Sequence, residues 1–415
     1  MGKYMLPYGH GTIEVEAPDS GYMGTYLPVR EEQSPNEADL IKRALDCPIA
    51  SRPVEELVKA GQKVVIIISD NTRPCPNEVL LPPLIERLNR AGVGDEDITI
   101  VVALGLHRKM TDQELEQAVS TEIYQRICVL NHDVDDVIPV GVTSRNTPVE
   151  VFRPVVAADV RICVGNVEFH YFAGFSGGAK AIIPGCASRK TVNANHGHMI
   201  SDSAVAATLD GNPVREDLEE GVAMLGVDFI FNVVVNEQHQ ILAAASGDVT
   251  VAHRQLCKEL SKSGLVPLPK AVDVAIVSAG GYPKDINLYQ AQKALDNIAT
   301  VVQPGGCLIL FAQCGEGFGS GEFERWLTSG KTPDQLVFDI QEHFILGGHK
   351  AAAIAMVAQS IKVILVTEGD FGHKPLVGLD VFADPANALV QAFKEVGPKA
   401  TYAIFPLGAS TLPTT

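Results

Sequence analysis

Between Gly165 and Lys180 the chain carries an unusual concentration of side chains able to do chemistry: Glu168, His170, Tyr171, Ser176 and Lys180, with glycines at 174, 177 and 178. Such glycines let backbone amides approach an anion closely, so Ser176-Gly177-Gly178 reads either as a phosphate cradle or as a plain Gly-rich turn. A Walker A loop is excluded, because Lys180 stands between Ala179 and Ala181 instead of between glycine and Ser or Thr. Ala181-Ile182-Ile183-Pro184-Gly185 follows, which places the Lys180 amine among small and apolar groups. A desolvated lysine gives up its charge readily and becomes a nucleophile able to hold a carbonyl-type cofactor. The alternative is a lysine with a buried stem and a wet head.

Four histidines, His107, His170, His196 and His198, fall at strand ends or around this loop. Imidazoles there can shuttle a proton near neutral pH or bind a borderline metal such as nickel, and equally can be structural. Asp70-Asn71-Thr72-Arg73-Pro74 ends an apolar run; Arg73 could grip a carboxylate in a bidentate fork, or the segment could simply cap a helix. Further on, Tyr289-Gln290-Ala291-Gln292-Lys293 puts Gln290 and Lys293 three apart on one helix face, reaching a common ligand or facing solvent.

These residues hang on short β-branched runs that alternate with amphipathic helices, the pattern of parallel α/β layers. Strands are predicted at 63–69, 98–104 and 160–166, with helices over 76–91 and 111–119. A second series places strands at 273–278, 307–312, 361–366 and 400–405, with helices over 288–301 and 386–395. The Pro- and Gly-bearing stretch 263–269 suits a linker. The expectation is two Rossmann-like α/β lobes with mostly parallel sheets and the active site in the cleft between them. Residues 1–266 would carry the lysine and histidines, and 270–400 the substrate-binding residues. The strand and tail of 401–415 would pack back on the first lobe.

Composition narrows the function. A net charge of −17 over 415 residues argues against nucleic acid and anionic lipid as partners. No apolar run reaches the roughly 18 residues of a membrane span, no signal peptide is visible, and the eight cysteines form no C-x-x-C pair. The expectation is a cytoplasmic protein with reduced core thiols; the sequence is silent on oligomeric state.

Taken together, Asp70 to Pro74, Leu104-Gly105-Leu106-His107-Arg108, the His170 to Lys180 loop, Asn195-His196 and Gly280 to Asp285 resemble the nickel-pincer lactate racemase family. The resemblance runs through both lobes and rests on joint spacing, with ten residues from His170 to Lys180 and sixteen from Lys180 to His196. It implies a nickel-pincer nucleotide (a pyridinium mononucleotide) joined covalently to Lys180 through a thioamide and cradled by Ser176, Gly177 and Gly178. It also implies nickel completed by His196, and His107 and His170 as acid/bases on opposite faces of a 2-hydroxy acid. Asp70, Arg73, Tyr289, Gln290 and Lys293 would hold the substrate, hydride would pass reversibly to the cofactor, and separate maturation enzymes would supply that cofactor.

Lactate-using members of the family place a tryptophan against the substrate's small side chain. Here the single tryptophan, Trp326, reads as a packing residue, and 351–356 offers only small or flexible residues. That favours a larger 2-hydroxy acid, such as a dicarboxylate, an aryl-lactate or an aldonate. Two rivals stand beside this reading: a pyridoxal-phosphate racemase on Lys180, and a two-lobed carboxylate-binding protein without catalysis.

Overall fold

The computed structural model describes residues 2–28, 36–236, 238–372 and 374–415. The chain divides into two compact units, one ending at Lys262 and one built from Ser263–Thr415 together with the N-terminal strands.

The unit that ends at Lys262 holds a six-stranded sheet in the order Ile241–Gly247, Phe229–Val235, Val160–Asn166, Val64–Ser69, Ile98–Ala103, Cys128–Asn131. All neighbours are parallel except the edge pair of Ile241–Gly247 with Phe229–Val235. Ile66 and Ile68, Ile100 and Val102, and Ile162 and Val164 alternate into one core, which Leu80, Leu84 and Leu88 of the helix Asn77–Arg90 cover. From Val64–Ser69 the sheet grows outward to Cys128–Asn131, then resumes on the other flank at Val160–Asn166. The order therefore reverses between Val64–Ser69 and Val160–Asn166, where open α/β sheets bind ligands beyond the strands' carboxyl ends.

The other unit holds a fully parallel six-stranded sheet: Asp380–Phe382, Lys362–Val366, Val302–Phe311, Val272–Ser278, Tyr402–Phe405, Tyr22–Thr25. Its four central strands are buried on both faces along most of their length. Ala275, Val277, Leu308, Leu310 and Phe405 point to one core. Val274, Ile276, Ile309, Phe311 and Tyr402 point to the other.

Three boundaries differ from the sequence expectation. Residues 401–415, expected to pack on the first lobe, belong to the C-terminal unit: Tyr402–Phe405, buried at every position, pairs with Val272–Ser278 inside its sheet. The N-terminus is what crosses, with Tyr22 pairing to Tyr402 at that sheet's edge. Within the expected linker, Leu265–Pro267 forms a strand beside Leu412–Thr414. The Gly280 to Asp285 motif explains part of this. Asp285, 1 % exposed, accepts the Gly9 N–H at 2.7 Å and the Gln313 N–H at 3.2 Å, and the Tyr282 N–H donates to Gly9 O at 2.8 Å. Gly281 sits at φ +74°, and a Cβ there would stand 3.0 Å from Gly9 O. The motif pins the turn of the hairpin Gly2–Tyr8/Gly11–Ala17.

Candidate active site

Three neighbouring strands of the first sheet end in the loops that carry the predicted chemistry: Asp70 follows Val64–Ser69, His107 follows Ile98–Ala103, and His170 to Lys180 follow Val160–Asn166. Asp70 is buried, and its Oδ2 lies 2.6 Å from His107 Nδ1. Its Oδ1 accepts the Thr72 hydroxyl at 2.6 Å and the Thr72 N–H at 3.2 Å. Burial alone would raise this carboxyl, but the bonds from His107 and Thr72 outweigh it and hold Asp70 below the usual carboxylate range. The carboxylate fixes the His107 proton on Nδ1 and leaves Nε2 as the basic atom. Both Asp70 oxygens thus accept hydrogen bonds from the protein, Oδ2 from His107 and Oδ1 from Thr72. Arg73 is exposed at the mouth of the same loop, with no hydrogen bond or ion pair to its guanidinium among the described residues.

In the Gly-rich loop, Phe169–His170 pairs with Gly174–Phe175 in a tight antiparallel turn, and the Ala173 N–H donates to His170 Nδ1 at 3.2 Å. The His170 proton therefore sits on Nε2. Burial, reinforced by Lys180 and Arg73, pushes this imidazole well below its usual range and keeps it neutral. Burial first, then repulsion from Arg215 and Arg73, pushes the Lys180 amine well below a normal lysine. That direction is the one a nucleophilic lysine needs, while the side chain itself is half-buried.

Sequence reasoning passed over Phe172, whose ring is the centre of the site. His170 meets it edge-on at 4.5 Å and His196 at 5.0 Å between centroids, and Lys180 Nζ lies 5.7 Å from its centre. An aromatic inside a histidine- and glycine-rich run carries no signal of its own. Beneath the loop, Arg215, fully buried, donates to the carbonyls of Ala173 (3.2 Å) and Phe175, and His253 Nε2 donates to Ser176 O at 2.7 Å. The Gly178 N–H donates to Asn232 Oδ1 at 2.8 Å. Gly177 and Gly178 have φ of +74° and +57°; a Cβ would come within 2.9 Å of Val167 at the first and 2.8 Å of the His253 ring at the second. The Ser176 hydroxyl bonds Asn166 O at 3.0 Å and the Glu168 N–H at 2.8 Å, so it shapes the loop from inside.

His196 closes the helix Arg189–Gly197, its Nδ1 3.2 Å from Asn195 Oδ1. His198 Nε2 stands 3.9 Å from Asp217, beyond hydrogen-bond range. No cluster of three or more His, Cys, Asp and Glu side chains able to hold a metal occurs among the described residues.

In the other unit, the helix Leu288–Ala299 carries Tyr289, Gln290 and Lys293. Lys350 Nζ donates to Tyr289 O at 2.6 Å and lies 4.2 Å from the centre of its ring, fixing that residue. Trp326 is a packing residue: its Nε1–H donates to Glu322 at 2.7 Å, and a Cβ on Gly348 would strike its ring. Ala351 to Ala355 are core, at most 5 % exposed.

Two family descriptions match the chain: the lactate racemase N-terminal domain over residues 8–208 and the lactate racemase C-terminal domain over 268–412. The chain is 31 % identical over 405 residues to the lactate racemase of Thermoanaerobacterium thermosaccharolyticum, covering 95 % of this chain and 94 % of that one. The chain belongs to the lactate racemase family. It is also 33 % identical over 339 residues to the lactate racemase of Lactiplantibacillus plantarum, covering 80 % of each. The solved lactate racemase apoprotein from T. thermosaccharolyticum superposes with a TM-score of 0.88 at 29 % identity, covering all of both chains. A Thermotoga maritima protein at 20 % identity and TM-score 0.62, covering 91 % of this chain and 98 % of that one, shares the fold. The α/β fold expectation therefore holds, and the protein is an isomerase of the racemase type. Membership implies a nickel-dependent enzyme. No helix among the described residues is long and apolar enough to cross a membrane.

Proposed function

We propose that this racemase interconverts the enantiomers of a 2-hydroxy carboxylic acid in the cytoplasm, using a nickel-pincer nucleotide installed on Lys180 by separate maturation enzymes. The observation that carries the reading is the convergence of His170, His196 and Lys180 on Phe172, beside the His107–Asp70 pair. The residues fit such a group. A metal that arrives with organic donors asks the protein for one anchor and one imidazole, in keeping with a desolvated Lys180 amine, His196, and the lack of any all-protein metal cluster among the described residues. When bound, the group supplies the hydride acceptor.

The chain's own residues do the rest. Arg73 takes the substrate carboxylate, with Gln290 and Lys293 as further partners for carboxylate and hydroxyl. His107 Nε2 takes the hydroxyl proton, and Asp70 stabilises the imidazolium that forms. His170, neutral with its proton on Nε2, donates a hydrogen bond to the substrate oxygen, and His107 returns to the product the proton it took, so the proton count closes whichever enantiomer enters. Phe172 and the fully buried Phe175 keep water from the reacting carbon.

Lactate is the substrate named for both relatives, and it or a larger 2-hydroxy acid fits this chemistry. Lactate comes first on the strength of those relatives, and the larger class is the alternative, kept because Trp326 packs against Gly348. The test is a chiral assay of matured protein on single enantiomers of lactate, malate, 2-hydroxyglutarate, phenyllactate and gluconate. Inversion of one of these acids supports the reading and fixes the substrate. No inversion of any, with the adduct present on Lys180 by intact mass, overturns the substrate assignment.

A further inference from the structure

The helix Pro213–Leu225 buries Asp217 completely, on the far side of Asn195 from His196. Asp217 Oδ1 accepts the Thr143 hydroxyl at 2.5 Å, and Oδ2 accepts the Thr147 hydroxyl at 2.8 Å and Asn195 Nδ2 at 2.8 Å. Asn195, also fully buried, uses the same Nδ2 to donate to Val214 O at 3.0 Å. Both amide hydrogens therefore point at acceptors. Turning the amide over would aim its oxygen at a carboxylate and a carbonyl, two repulsive contacts in a dry interior. The orientation is fixed, and Oδ1 faces His196 Nδ1 at 3.2 Å. That oxygen has no proton to give, so Nδ1 must be the donor.

We propose that Asn195 and Asp217 are positioning residues that hold the His196 proton on Nδ1, so that Nε2 carries the lone pair a metal takes. The inference rests on the reading of His196 as the nickel ligand. The relay does for one imidazole what carboxylate–histidine pairs do around metals: it selects the tautomer and sets the ring plane before the metal arrives. Asp217 acts at one remove, through the amide. The two threonine hydroxyls hold it in place, one on the hairpin strand Val137–Val142's following residue Thr143 and one at Thr147.

The test uses the full chain prepared without cofactor and labelled with 15N-histidine. Two-bond proton–nitrogen correlations are recorded at pH 8, with the His196 signals assigned by their loss in His196→Gln. The expected spectrum shows a protonated Nδ1 and an unprotonated Nε2; a protonated Nε2 in the wild-type chain overturns the proposal without any variant. Asn195→Ala is expected to turn the single tautomer into a mixture, and an unchanged tautomer in a folded Asn195→Ala protein overturns it as well. In matured protein, Asn195→Ala should keep the Lys180 adduct mass yet hold nickel about 10–100-fold less tightly against a chelator. Full nickel retention in His196→Ala would instead remove His196 as ligand, a failure of the underlying reading that the tautomer spectrum does not share.

Discussion

Replacing Asp70 by asparagine keeps the shape behind His107 and removes the charge. The 2.6 Å contact to Nδ1 becomes a neutral hydrogen bond, and the imidazolium formed when His107 takes a proton loses its counter-charge. A hydrogen bond to a charged group is worth about 1.5–3 kcal/mol net. The His107 side chain is 40 % exposed while Asp70 is 5 %, so water screens the pair from one side and the upper end is discounted. A loss of about 2–2.5 kcal/mol in the transition state is expected, roughly 30–70-fold in kcat/KM. The assay follows chiral conversion from each pure enantiomer, with intact mass and nickel content as loading controls. Because the equilibrium constant between enantiomers is unity, kcat/KM must fall equally in both directions, whereas kcat need not. A folded, fully loaded Asp70→Asn enzyme with less than about threefold loss would refute the idea that this carboxylate sets the His107 proton.

Three further outcomes are expected. Lys180→Ala should carry no adduct by intact mass while keeping its melting temperature; an adduct of unchanged mass would remove Lys180 from the chemistry. Gly178→Ala combines φ +57° with a Cβ 2.8 Å from the His253 ring, and should cost about 1–3 kcal/mol and lower cofactor loading, read by thermal melting and mass. His132, packed edge-on against Phe152, is pushed by burial down to about 4, below its unfolded value near 6.5. The unfolded chain therefore binds the proton first, and this group's contribution is intact above about pH 6.5 and lost as pH falls toward 4. His132→Leu should gain about 2–3 kcal/mol relative to wild type between pH 7.5 and 4.5 in denaturant unfolding; an identical pH slope would count against it.

Local signals carried most of the core elements. The predicted strand 160–166 is Val160–Asn166 as observed, and the predicted helix 111–119 is Asp112–Val119, opened by a reciprocal Thr111–Glu114 capping box. The loops at the carboxyl ends were legible because glycine, histidine and lysine seldom crowd together without a reason in chemistry. Partners far apart in sequence were not. Nothing local says that Tyr22 pairs with Tyr402, or that Asp217 backs Asn195, since each contact is made by folding a long intervening chain. Asp70 and Ser176 were legible as polar residues beside the site, but not the direction they face, which a neighbour decides: His107 for one, Asn166 and Glu168 for the other.

The crossing of the N-terminus into the C-terminal sheet sets an order of events on the ribosome. Everything that builds the Lys180 loop and its supports, through His253 and the end at Lys262, is contiguous and complete once that residue has emerged. The sheet that takes Tyr22–Thr25 at its edge lacks the strand beside it until Tyr402–Phe405 has been made. At about 5–20 residues per second, the stretch from Lys262 to the neighbour strand at Tyr402 takes roughly 7–28 s to make. During that interval the unit that carries Lys180 is already whole, while the other is still being translated.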